Sequence, residues 1–217
     1  MKEIKVIEPV LKWNDALAQE IEHSLQEKGI KLLNFLGSPG AGKTTLIEKT
    51  LQLLGEERRK IGVIEGDIST TYDSEILSSL GVDVVQINTR GACHLDAQMI
   101  KSALATLSLE GKKLVFVENV GNLVCPASFR IGERERVLVL SLTEGEHKPR
   151  KYPLAFKTSG VIIINKVDLL PHLPVNLAEI KREIEEFSTE KKIFVLSSLK
   201  GEGFEEWLRF LKENFLT

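Results

Sequence analysis

Gly37-Ser38-Pro39-Gly40-Ala41-Gly42-Lys43-Thr44-Thr45 decides the fold of this chain. Residues 32–36, Leu-Leu-Asn-Phe-Leu, read as a buried strand, and residues 46–54 carry apolar positions at helical spacing. Gly-x-x-x-x-Gly-Lys-Thr between a strand and a helix is the sequence of a phosphate-binding loop, or P-loop. Its glycines let the backbone close around a polyphosphate, and the N–H groups at the helix start face the anionic oxygens. Lys43 adds a point charge, and the Thr44 hydroxyl is placed to ligate Mg²⁺. Gly37, Ser38, Pro39, Gly40, Ala41, Gly42, Lys43, Thr44 and Thr45 are therefore the expected phosphate-binding residues. The loop asks for a nucleoside triphosphate and leaves the base open.

Outward from this loop the chain alternates strands and helices. Further strands are expected at residues 60–65, 82–87, 113–117, 137–142, 161–164 and 193–196, most of them uninterrupted runs of Val, Ile and Leu. Helices are expected at residues 73–80, 97–109, 177–187 and 204–215, with Asp96 capping the second. Before the P-loop, Leu17, Ile21 and Leu25 recur at four-residue steps, with Asn14 as N-cap and Gly29 as terminator. The pattern predicts an α/β fold with a mostly parallel sheet covered on both faces. Residues 1–217 are expected to form one domain, residues 1–30 being a helical extension packed on it. Residues 118–135 and the lysine-rich 143–153 read as irregular.

The composition narrows the function. A net charge of −2 provides no broad cationic field for nucleic acid or an acidic membrane. No apolar run approaches the roughly 20 residues of a membrane span, and no signal-peptide pattern opens the chain, so a cytoplasmic location is expected. Two cysteines make no disulfide framework; in the cytosol they direct attention to metal binding or reactivity.

Asn165-Lys166-Val167-Asp168 directly follows an apolar strand and selects the base. The Asp168 carboxylate can accept both N1–H and the exocyclic amine of guanine, a pair of donors that adenine lacks; the wrong base leaves a buried charge unpaired. Asn165 is placed to bridge toward the P-loop, Lys166 to lie along the base, and the turn Ser197-Ser198-Leu199 to present a backbone N–H to the guanine carbonyl. For Mg²⁺, Thr44 is joined by Asp67 and Glu118, carboxylates at two strand ends, and Lys43, Asp67 and Glu118 form the expected catalytic set. Glu118-Asn119-Val120-Gly121 stands where many GTPases have Asp-x-x-Gly, so Gly121 is the expected γ-phosphate contact. No attacking-water residue stands out, and slow turnover is expected.

Several longer segments carry a family resemblance: residues 91–97 (Gly-Ala-Cys-His-Leu-Asp-Ala), residues 118–126 (Glu-Asn-Val-Gly-Asn-Leu-Val-Cys-Pro), and Glu144-Gly145-Glu146-His147-Lys148-Pro149. With residues 165–168 they closely resemble the HypB family, nickel-insertion GTPases of hydrogenase maturation. The resemblance implies a dimerising P-loop GTPase of the SIMIBI class, which includes signal-recognition particle GTPases and UreG. It implies GTP, Mg²⁺ and Ni²⁺ or Zn²⁺ as ligands. As partners it implies a second copy, a hydrogenase maturation accessory protein and a hydrogenase large-subunit precursor. Carried over, Cys93, His94 and Cys125 become ligands for Ni²⁺ or Zn²⁺ at the dimer interface. Thiolate and imidazole suit both ions, and three protein ligands leave a coordination position open for water or a second subunit. Gly121 and Cys125 are close in sequence, so a loop shift on hydrolysis is expected to move a metal ligand.

One departure qualifies this expectation. Many relatives carry an N-terminal Cys-x-x-Cys-Gly-Cys motif or a histidine-rich stretch, whereas residues 1–36 here contain no cysteine and one histidine, His23. Dependence on the interface site is expected, and His23, His147 and His172 are expected to be solvated. Two alternatives stay open: a metal carrier using GTP only as a dimerisation ligand, and a UreG-like urease accessory GTPase. The UreG relatives use a Cys-Pro-His motif, and the separate Cys93-His94 and Cys125-Pro126 argue against the second.

Overall fold

The structure, a computed structural model, describes residues 7–66 and 72–217. Asp67 and residues 1–6 of the expected extension lie outside the described residues. All seven expected strands form: β1 (Lys31–Gly37), β2 (Ile61–Glu65), β3 (Asp83–Gln86), β4 (Leu114–Glu118), β5 (Glu135–Ser141), β6 (Val161–Asn165) and β7 (Lys192–Val195). They build one sheet in the order β3-β2-β4-β1-β5-β6-β7, and every pairing is parallel. Parallel neighbours need crossover connections, so the helices lie on the two faces and both faces of each central strand are apolar.

Residues alternate between those faces along each strand. Leu33 and Phe35 of β1 join Val63, Phe116, Val139 and Ile163 under α2 (Lys43–Leu54) and α9 (Phe204–Phe215). On the opposite face Leu32, Ile64, Val115 and Val117 lie under α1 (Ile7–Glu27) and α4 (Ala97–Thr106). Farther along that face Leu36, Leu138, Leu140, Ile162 and Ile164 are covered by α7 (Pro153–Thr158) and α8 (Leu177–Glu185). The remaining helices are α3 (Tyr72–Ser79), α5 (Cys125–Ser128) and α6 (Lys148–Lys151). No described helix is long and apolar enough to cross a membrane.

Two local expectations are corrected. Within the described residues helix α1 already runs from Ile7, about two turns before Asn14. Asn14 is therefore no cap of its own helix: its buried carboxamide donates to the Arg130 carbonyl at 2.8 Å and accepts from Ala97 N–H at 2.9 Å. It serves the start of α4, whose own cap, Asp96, accepts from Met99 N–H at 2.8 Å as the sequence implies. Residues 143–153 are not irregular but carry α6 and the start of α7, each with proline in its first turn. His147 is exposed, as expected, and its Nδ1 also lies 2.8 Å from the buried Glu183 carboxylate of α8, which Arg150 meets at 2.9 Å.

Candidate functional site

The strand order reverses about β1, and ligand crevices of open α/β sheets lie beyond the strand ends at such a reversal. The P-loop emerges there. A cleft of about 560 Å³ is lined by Pro39, Gly40, Lys43, Thr44, Glu118 and Gly121, among others. Lys43 and Thr44 open α2, while the β1–β4 register sets Phe35 opposite Glu118. The Thr44 hydroxyl donates to Glu118 Oε1 at 2.9 Å, and Lys43 Nζ lies 4.0 Å from the same oxygen. The expected Mg²⁺ set is thus brought together except for Asp67; Gly66, the last described residue before it, lines the same cleft. Gly121 packs on the P-loop, for a Cβ there would lie 3.1 Å from Pro39 Cα and 3.2 Å from Pro39 N.

A second cavity of about 330 Å³ shares Gly42, Thr45 and Lys166 with the first and adds Asn165, Asp168, Leu169, Ser198 and Leu199. Asn165, buried at the end of β6, is its hinge: Nδ2 donates to Ala41 O at 2.9 Å, and Oδ1 accepts from Ser198 N–H at 3.0 Å and Ser198 Oγ at 2.9 Å. Gly42 has φ +93°, and a Cβ on it would come within 2.5 Å of that Nδ2, so the P-loop and this motif fit only around glycine. Lys166 Nζ donates to Gly40 O at 2.7 Å, and Asp168 accepts from Ser197 Oγ at 2.6 Å. In the turn after β7, the N–H groups of Ser197, Ser198 and Lys200 all donate internally. Among the described residues, that leaves the Leu199 N–H as the donor of this turn with no internal acceptor.

Beside the phosphate cleft the loop before α4 meets the start of α5. The ligating atoms of Cys93, His94 and Cys125 all lie within 4.8 Å of one another. Cys93 Sγ is 3.5 Å from His94 Nδ1, and the imidazole stacks on Phe129 with centroids 3.9 Å apart and planes inclined by 29°. Burial lowers the His94 pKa, Asp96 opposing, which favours the neutral imidazole that ligates metals. Hydrogen bonding with Cys93 raises the Cys125 thiol above its ordinary value. Two thiols and an imidazole, half-exposed and convergent, fit a soft or borderline divalent ion.

The two centres are joined by asparagines to which the sequence reading assigned no role. Asn119 is buried; its Nδ2 donates to Asn34 Oδ1 at 3.1 Å, and its Oδ1 accepts from Leu95 N–H at 3.1 Å and Val120 N–H at 3.0 Å. One side chain therefore ties the cysteine loop to the loop facing the P-loop. The available signal was Asn34, a polar residue in the middle of an otherwise apolar strand, which has to find a buried partner. A slightly larger cleft, about 630 Å³, lies elsewhere beside Arg130, Arg134 and Arg136. Arg136 there is committed to Glu133 and to the Ala127 and Phe129 carbonyls, so its charge is already satisfied.

The profile of the CobW/HypB/UreG nucleotide-binding domain matches residues 31–195. A hydrogenase maturation factor HypB from Azotobacter vinelandii is 43% identical over 210 residues, 96% of this chain and 69% of that protein. The chain belongs to the HypB family. Its fold class is accordingly that of SIMIBI P-loop NTPases. The crystal structure of HypB from Archaeoglobus fulgidus superposes with TM-score 0.88 at 37% identity, covering 95% of this chain and all of that one. HypB from Helicobacter pylori, crystallised in complex with nickel, gives TM-score 0.86 at 36% identity over 92% of this chain and 94% of the other.

Proposed function

We propose that this chain is a GTP-hydrolysing metallochaperone that carries Ni²⁺ as cargo toward a hydrogenase precursor. The observation that carries the reading is the convergence of Cys93, His94 and Cys125 on loops that border the phosphate cleft. A nucleotide cleft alone would support any NTPase. A thiol-imidazole cluster set against it gives the nucleotide cycle something to act on.

In this reading the triphosphate lies over Gly37 to Thr45, with Lys43 compensating the outer phosphates and Gly121 N–H contacting the terminal one. Thr44 and Glu118, with Asp67, hold Mg²⁺, which supplies charge neutralisation at those phosphates. Guanine enters the smaller cavity: Asp168 accepts from its N1–H and amine, Leu199 N–H donates to its carbonyl, and Lys166 lies along its plane. Asn165 supports both halves. Cys93 is exposed and the adjoining Val124 is 60% exposed, a surface suited to a second copy that completes the coordination of the ion. Zn²⁺ satisfies the same donors, so the cargo is defined by supply and by the client as well as by affinity.

Single-turnover measurement with GTP and with ATP, followed by Ni²⁺ titration, tests the reading. Phosphate release above the uncatalysed rate, preference for GTP and metal binding that requires Cys93 are expected. Tight GTP-dependent dimerisation without phosphate release would replace the hydrolase with a carrier that uses GTP only as a dimerisation ligand.

A further inference from the structure

Between the phosphate cleft and the thiol cluster stands Asn122. Its backbone pairs with Gly37, the first residue of the P-loop, as an isolated antiparallel bridge. The Nδ2 atom donates to the Cys93 carbonyl at 3.3 Å, and Oδ1 accepts from Val124 N–H at 2.8 Å. Val124 directly precedes Cys125, so the same carboxamide is bonded to the backbone on both sides of the thiol cluster. One residue earlier, Gly121 rests against Pro39. A single turn thus touches the P-loop with its backbone and both cysteine loops with one side chain.

We propose that Asn122 is the positioning residue through which the occupant of the phosphate cleft sets the geometry of the Cys93–His94–Cys125 cluster. The inference rests on the reading of those two sites given above and assigns the coupling between them to one side chain. Any displacement of residues 120–122 by the terminal phosphate is delivered to both cysteine loops together, because one carboxamide bonds the Cys93 carbonyl and the Val124 N–H beside Cys125. Asn119 anchors the other end of the same turn, through Val120 N–H and Leu95 N–H, so the turn moves against a fixed base. A contiguous element with partners on both sides is a physical route for such coupling. It is also reciprocal, so ion binding acts back on nucleotide affinity by the same factor.

An Asx turn closing on Val124 would need only the Oδ1 bond; the amide donor to the Cys93 carbonyl distinguishes the coupling role. The test is equilibrium titration of Ni²⁺ into the full chain with GDP and with a non-hydrolysable GTP analogue. It is run on the wild type, Asn122→Ala and Asn122→Asp, with nucleotide affinities measured separately without metal. For the wild type the two Ni²⁺ affinities are expected to differ by about 5- to 150-fold, the range of ordinary coupling energies. In Asn122→Ala that ratio is expected to fall to about one, with metal-free nucleotide affinity held within about twofold, since coupling is a property separate from either affinity. Asn122→Asp keeps the acceptor for Val124 N–H and loses the amide donor; its ratio is expected to fall as well, whatever its added charge does to absolute affinity. If Asn122→Ala does not fold, the aspartate variant decides alone. A wild-type ratio retained in the folded variants overturns the assignment of Asn122. A wild type that binds no Ni²⁺, or binds it equally in both states, overturns the underlying reading as well and is recognised without any variant.

Discussion

The Thr44 hydroxyl and the Glu118 carboxylate, from a helix start and a strand end, meet at 2.9 Å. The contact follows from sheet register: β1 and β4 are parallel neighbours with Phe35 opposite Glu118, so the strand that feeds the P-loop also aligns the carboxylate with it. Both oxygens are hard donors, and Lys43 at 4.0 Å keeps the carboxylate from carrying an uncompensated charge in a buried position.

Glu118→Gln tests this. The amide retains the shape and an acceptor for Thr44 but loses the charge that a divalent ion uses. The Mg²⁺ requirement for phosphate release is expected to rise by about 10- to 100-fold, the effect typical of weakening a metal site by one partner. GDP binding without Mg²⁺ is expected to change little. An unchanged Mg²⁺ dependence would remove Glu118 from the ion's surroundings.

At the thiol cluster, Cys93→Ala removes one of the three atoms held within 4.8 Å of one another. Cys93 is exposed and outside the residues that line either nucleotide cavity. Ni²⁺ or Zn²⁺ binding is expected to weaken strongly while GTP binding persists, as paired metal and nucleotide titrations would read. Joint loss of both would mean that the cysteine supports the phosphate site itself.

Ser197 Oγ donates to Asp168 at 2.6 Å and holds its carboxylate in the lining of the smaller cavity, where the proposed function seats guanine. Asp168→Ala deletes the acceptor and leaves guanine's two donors to pair with water or nothing. A loss of about 1–3 kcal/mol in GTP affinity is expected, roughly 5- to 150-fold, with little change for ATP. Competition binding with the two nucleotides checks it; equal losses for both would place Asp168 outside base recognition.

What could be read from the sequence divides by physical range. The seven strands were legible because each is a short apolar run bounded by polar or glycine residues, and the P-loop and Asn165-Lys166-Val167-Asp168 because their chemistry is written in consecutive residues. The extent of α1 was not, because Asn14 looks like a cap locally and its partners, Arg130 and Ala97, are more than eighty residues away. The His147–Glu183 pair was hidden for the same reason: each half is an ordinary surface residue until α6 is laid on α8. The roles of Asn119 and Asn122 depend on which loops the sheet order brings side by side, and β2–β4–β1 adjacency cannot be read from residue spacing.

The helix that opens with the P-loop is braced from behind by one indole. Trp207 of α9 is fully buried among Phe35, Phe194 and Phe210, and its Nε1–H donates to Thr50 Oγ1 of α2 at 3.0 Å, while the Thr50 hydroxyl donates to Leu46 O at 2.6 Å. Removing either partner destabilises by a different route. Trp207→Phe loses the hydrogen bond and some volume but strands no donor, and a cost of about 1–3 kcal/mol is expected. Thr50→Val leaves a buried indole N–H with no acceptor, which alone carries about 1–3 kcal/mol. In the double variant the stranded donor is gone, so its loss should fall short of the sum of the single losses by about 1 kcal/mol, the net value of such a bond. Urea unfolding of the four proteins measures the difference. Strict additivity would show that the Trp207–Thr50 contact contributes packing only.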